Sequence, residues 1–146
     1  MYLDYWQLER KPFEPNIAEG FFYPSESHRG AILKLRYAIE NGRAAAVVAG
    51  PSGVGKTLLV ETLIDSLPET QSANKVSPVV QVVYPQMSSR ELLAYLAERL
   101  APSEEPSYTT PSVDQSWLRI ENALSTAAER GEQPLVVVEE AHMLED

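Results

Sequence analysis

The chain has 146 residues, 44% hydrophobic and 23% charged, with a formal net charge of −9, a make-up that fits one folded domain and excludes general disorder. The absence of cysteine excludes disulfides, thiolate metal sites and cysteine nucleophiles, and two histidines are too few for a histidine-based metal cluster. No apolar run approaches the roughly 18 to 20 residues that cross a bilayer, the amino terminus lacks signal-peptide character, and the acidic balance argues against broad binding to nucleic acid, so a cytoplasmic location is expected.

Residues 1 to 24 mix Tyr5, Trp6, Phe13, Phe21, Phe22 and Tyr23 with Pro12, Pro15, Asn16, Gly20 and Pro24, which predicts an irregular arm without a helix or strand of any length. So many aromatics are poorly placed in water, so the arm is expected to pack over the domain beyond it, either as structure or as a wall of a binding pocket. Ser25 or Ser27 can cap a helix whose apolar positions Ala31, Ile32, Leu35, Ala38 and Ile39 keep the helical period until Gly42. Arg29, Lys34, Arg36 and Arg43 form a local basic group that reads as a solvated helix surface.

Ala44 to Ala49 is a continuous apolar run, predicting a strand buried on both faces. Next comes Gly50-Pro51-Ser52-Gly53-Val54-Gly55-Lys56-Thr57, which fits the phosphate-loop pattern in which backbone N–H groups curve around a polyphosphate and glycine permits the curvature. In that pattern Lys56 reaches the β- and γ-phosphates and the Thr57 hydroxyl holds Mg²⁺, while the helix predicted over Lys56 to Leu67 directs its positive dipole end at the anion.

Further on, Val79, Val80, Val82, Val83 and Tyr84 predict a second strand, and Ser88 or Ser89 caps a helix that stops before Pro102. Residues 102 to 111 hold three prolines and predict a mobile loop. Ser112 or Asp114 opens a fourth helix that Gly131 ends, and Leu135 to Val138 predicts a third buried strand. Alternation of strands and helices predicts a three-layer α/β domain with a parallel sheet.

That third strand runs into Glu139-Glu140, and paired carboxylates ending an apolar strand face a site or solvent, because an unpaired buried carboxylate costs several kcal/mol. In open α/β sheets ligands bind outside the carboxyl ends of strands. Glu139 is the candidate Mg²⁺ ligand, directly or through water, and Glu140 the candidate base for an attacking water.

Taken together, the Tyr2-Leu3-Asp4-Tyr5-Trp6 opening with Leu8 and Lys11-Pro12-Phe13, the Tyr23-Pro24-Ser25-Glu26-Ser27-His28-Arg29 segment, the phosphate loop and the Val-Val-Val-Glu-Glu-Ala-His strand end resemble the ExeA-like (general secretion pathway protein A) branch of the AAA+ P-loop ATPases. The resemblance implies a Walker A motif at Gly50 to Thr57 and a Walker B motif at Leu135 to Glu140. It also implies adenine near Tyr23, Pro24 and Arg29, and ATP and Mg²⁺ as ligands. Hydrolysis would be tied to an oligomeric assembly of secretion or transposition type, with nucleic acid involved at most indirectly. The family's usual Asp-Glu pair is Glu139-Glu140 here, and the extra methylene, about 1.5 Å long, is expected to affect Mg²⁺ geometry. An ATP-sensing switch with weak or no hydrolysis is therefore the alternative expectation, and a small-molecule kinase a third. In this family a sensor strand lies between the Walker A and Walker B strands. The chain is thus expected to be an arm, residues 1–24, followed by the amino-terminal part of an AAA+ domain, residues 25–146, truncated after the Walker B strand, poorly stable or inactive by itself.

Overall fold

A computed structural model describes residues 2–9, 22–67, 75–83, 86–102 and 111–144. The chain divides into two compact units, Met1–Ser66 and Leu67–Asp146.

In the first unit a five-residue helix, α1 (Tyr2–Trp6), opens the arm, where the sequence predicts irregular chain. The Leu8 N–H closes this turn on the Leu3 carbonyl at 2.9 Å, and Tyr5 and Trp6 stack edge to face with centroids 5.0 Å apart. The expected packing of Phe13 and Phe21 lies outside the described residues. Helix α2 (Glu26–Glu40) begins at Ser25, whose Oγ accepts the His28 N–H, so Ser25 rather than Ser27 is the cap. Its end falls at Gly42, whose φ of +58° lets the chain leave the helix, as the sequence predicts. Helix α3 (Lys56–Ser66) packs against α2 and buries Leu59 and Leu63, four residues apart on one face. Arg36 donates to Ser66 Oγ at 2.9 Å, and that hydroxyl donates to the Leu63 carbonyl, which ties the two helices near the end of α3.

The strand predicted over Ala44 to Ala49 does not form. These residues have no regular structure and Val47 is 88% exposed. An extended segment becomes a strand only when its N–H and C=O groups find a ladder partner, and among the described residues none pairs with this segment. Apolar composition alone does not supply that partner.

The second unit holds the sheet. Strands β1 (Lys75–Val82) and β2 (Glu132–Val138) pair in parallel from Lys75–Glu132 to Val82–Val138, joined by helices α4 (Ser89–Leu100) and α5 (Val113–Glu129). Parallel neighbours require such a crossover. Both strands start earlier than their apolar runs suggest, and each takes in a proline, Pro78 and Pro134, at or beside the register irregularity between Val76 and Val79, where a residue without an N–H is tolerated. Capping boxes at Ser88 with Glu91 and at Ser112 with Gln115 start α4 and α5. Val80, Val82, Ala97 and Ala127 are the buried apolar side chains between sheet and helices. At the helix ends Arg119 bridges Glu98 Oε2, 2.9 Å away, and the Ala101 carbonyl. This is an α/β chain with a parallel sheet, the class expected of a P-loop nucleotide-binding fold. Residues 103–110, most of the predicted mobile loop, and the connection at 68–74 lie outside the described residues.

Candidate phosphate-binding site

The phosphate-loop sequence leads directly into α3. Gly53 and Gly55 have φ of +80° and +86°, left-handed conformations that side chains bearing a Cβ rarely adopt, so these two glycines give the loop its curvature. The Leu59 N–H donates to the Gly55 carbonyl at 2.9 Å, which starts the helical ladder at the last glycine of the loop. The first amides of α3 point back toward the loop at the positive end of the helix dipole, the arrangement that attracts an anion.

Lys56, the first residue of α3, donates from Nζ to the carbonyls of Gly50 at 3.1 Å and Pro51 at 3.0 Å. The ammonium is thus tied to its own loop through two neutral carbonyl acceptors, which a phosphate oxygen would outcompete as a charged one. Ser52, Val54 and Thr57 are exposed around the same turn.

Tyr23, Pro24 and Arg29 gather at the start of α2. Tyr23 is 81% exposed, its carbonyl accepts the Ser25 N–H at 2.9 Å, and Arg29 Nη1 donates to the Pro24 carbonyl at 2.8 Å. The residue that links this segment to the loop is His28, whose Nε2 lies 2.9 Å from the Val54 carbonyl. The sequence does not single out His28 as a site residue, since a contact spanning 26 positions leaves no periodic trace.

The acidic pair belongs to the second unit. The Glu139 N–H donates to the Val82 carbonyl at 2.9 Å, so the ladder continues one residue past β2 and fixes Glu139 at the strand's carboxyl end. Glu140 then turns into the left-handed region with φ of +49°, and its carboxylate lies 3.5 Å from His142 Nδ1. A 3-10 turn, Ala141–Met143, comes next, its first bond running from the Met143 N–H to the Glu140 carbonyl at 2.8 Å. The side chains that the sequence assigns to a cation, Thr57 and Glu139, offer oxygens, which suits Mg²⁺, and Mg²⁺ is ordinarily shared between one or two protein groups, phosphates and water. Among the described residues no set of three or more His, Asp or Glu forms a dedicated metal cage.

A model of the AAA domain family matches residues 39–146, from the end of α2 to the last residue. The chain belongs to the AAA domain family. AAA domains bind nucleotide, and the matched residues include the loop described above. Over 99 residues the chain is 28% identical to general secretion pathway protein A of Aeromonas hydrophila, an alignment that covers 67% of this chain and 17% of that relative. The resemblance expected from the motifs is thereby borne out. The chain spans less than a fifth of that relative's length. No solved structure matches. No helix among the described residues of this AAA domain is long and apolar enough to cross a membrane.

Proposed function

We propose that this AAA domain binds ATP and hydrolyses it with Mg²⁺, and that hydrolysis drives a conformational change in a macromolecular assembly. The observation that carries the proposal is the loop between Gly50 and Thr57, with two glycines at positive φ, a helix opening at its last residues and Lys56 Nζ held on the loop carbonyls.

In this reading the backbone of Gly50, Pro51, Ser52, Gly53, Val54 and Gly55 cradles the polyphosphate, Lys56 neutralises its charge, and Tyr23, Pro24 and Arg29 lie along the base. Thr57 and Glu139 would hold Mg²⁺, which when bound neutralises charge building up on the phosphate oxygens. Glu140 takes the proton of the attacking water. The resemblance to a general secretion pathway protein favours a secretion-type assembly, homo-oligomeric and cytoplasmic, with a transposition-type role the second choice and nucleic acid met only through partners.

The test is ATP binding and turnover by the full-length protein with Mg²⁺. Wild type is expected to bind and hydrolyse, Glu140→Gln to bind without turnover, and Lys56→Ala to lose binding. An ATP-sensing switch is the second reading, favoured by Glu139 standing where the family usually has Asp. Wild type that binds ATP but hydrolyses no faster than Glu140→Gln would establish the switch instead, and binding unaffected by Lys56→Ala would remove the phosphate-loop assignment.

A further inference from the structure

We propose that His28 is a positioning residue of the phosphate loop, acting by fixing the orientation of the Val54–Gly55 peptide; the proposal rests on nucleotide binding by the Gly50–Thr57 loop. A carbonyl oxygen only accepts, so the Nε2 that lies 2.9 Å from the Val54 oxygen carries the ring proton. Nδ1 is then the acceptor, 2.6 Å from Ser25 Oγ, and Ser25 Oγ accepts the His28 backbone N–H at 3.3 Å while lying 3.0 Å from Ser27 Oγ. One neutral tautomer therefore satisfies both ring nitrogens. The Phe22 ring, edge-on to the imidazole with centroids 5.6 Å apart, holds the ring in place.

In a trans peptide the C=O and the following N–H point to opposite sides. Drawing the Val54 oxygen toward His28 turns the Gly55 N–H the other way, and a phosphate loop works only if its carbonyls face away from the anion while its amides face it. The φ of +86° at Gly55 leaves that peptide few steric limits of its own, so an external tether decides its orientation. The tether comes from the cap of α2, so the segment beside the base and the cradle for the phosphates share one side chain.

Glutamine can place an amide N–H where Nε2 stands, whereas asparagine reaches only as far as Nδ1. In the full-length protein His28→Asn is expected to weaken MgATP binding on the order of tenfold and His28→Gln to stay within about twofold of wild type, the scale of one hydrogen bond. Equal losses in both variants, matched by equal losses in thermal midpoint without nucleotide, would show a merely structural histidine and overturn the proposal. So would unchanged affinity in both. Ring ¹⁵N shifts without nucleotide are expected to show the Nε2–H tautomer, and an Nδ1–H tautomer would contradict the geometry. Wild type that fails to bind MgATP refutes the nucleotide reading and this proposal together, whereas binding shared by wild type and both variants refutes only the role of His28.

Discussion

An alanine at position 55 would bring its Cβ to 3.6 Å from His28 Nε2, an ordinary contact, so space does not exclude it. The φ of +86° does, at a strain on the order of 1–3 kcal/mol that the loop would relieve by changing shape. Gly55→Ala is therefore expected to weaken ATP binding at least about tenfold, on the scale where 1.4 kcal/mol is a factor of ten, as read by titration calorimetry; undiminished affinity would show that the curvature is not needed. Glu140 holds a left-handed conformation without being glycine, and asparagine occupies that region more readily. Glu140→Asn is expected to gain about 1 kcal/mol of stability in a denaturant melt while losing turnover, and a less stable variant would contradict the reading of strain. The loop was legible because its backbone requirement, a positive φ at Gly53 and Gly55, calls for a residue type that the sequence displays. The turn at Glu140 was not, since nothing local in a glutamate announces positive φ, and His28 was not, because its loop partner lies 26 residues away.

Helix starts were legible for the same local reason. Each cap is a hydrogen bond between a serine and an amide three residues on, and Ser25, Ser88 and Ser112 were each one of two sequence candidates. Ser112→Ala is expected to destabilise α5 by about 1 kcal/mol, measurable in a urea melt. The side-chain and backbone hydrogen bonds from Ser88 hold the Glu91 carboxyl below the usual carboxylate range. A group whose folded pKa is depressed stabilises the fold above its unfolded pKa and loses that contribution as pH falls through the folded value. Acidification through and below the ordinary carboxylate range should therefore fray the first turn of α4. Amide protection factors there, exchange rates corrected for their intrinsic pH dependence, are expected to fall with acid in wild type and to stay flat across that window in Glu91→Gln. The strand predicted at Ala44 to Ala49 fails on the opposite ground. A strand's stability lies in a partner that is distant in sequence, and the run of alanine and valine says nothing about where that partner is.

Across the whole molecule the buried apolar side chains among the described residues are few: Leu59, Leu63, Leu67, Val80, Val82, Ala97 and Ala127. The first three lie on or just past α3, leaving four small side chains between sheet and helices, and among the described residues the sheet has two strands, fewer than most independently stable sheets. The 146-residue chain alone is therefore expected to melt broadly and to bind a hydrophobic dye before its transition; a sharp melt with no dye binding would show a stronger core than these residues supply. Val82, fully buried on β1, is the most exacting single position, and Val82→Ala should remove about 2 kcal/mol of whatever stability the second unit has. The parallel pairing of β1 with β2 also sets a schedule. Lys75 pairs with Glu132, so at about 5–20 residues per second the ribosome delivers β1 roughly 3 to 11 seconds before its partner exists. For most of that interval α4, complete at Leu100 and packed on β1, is the element at hand to cover Val80 and Val82, because α5 ends at Glu129, only just before β2 begins. The first half of the crossover thus serves as the strand's shield before it joins the sheet to its partner.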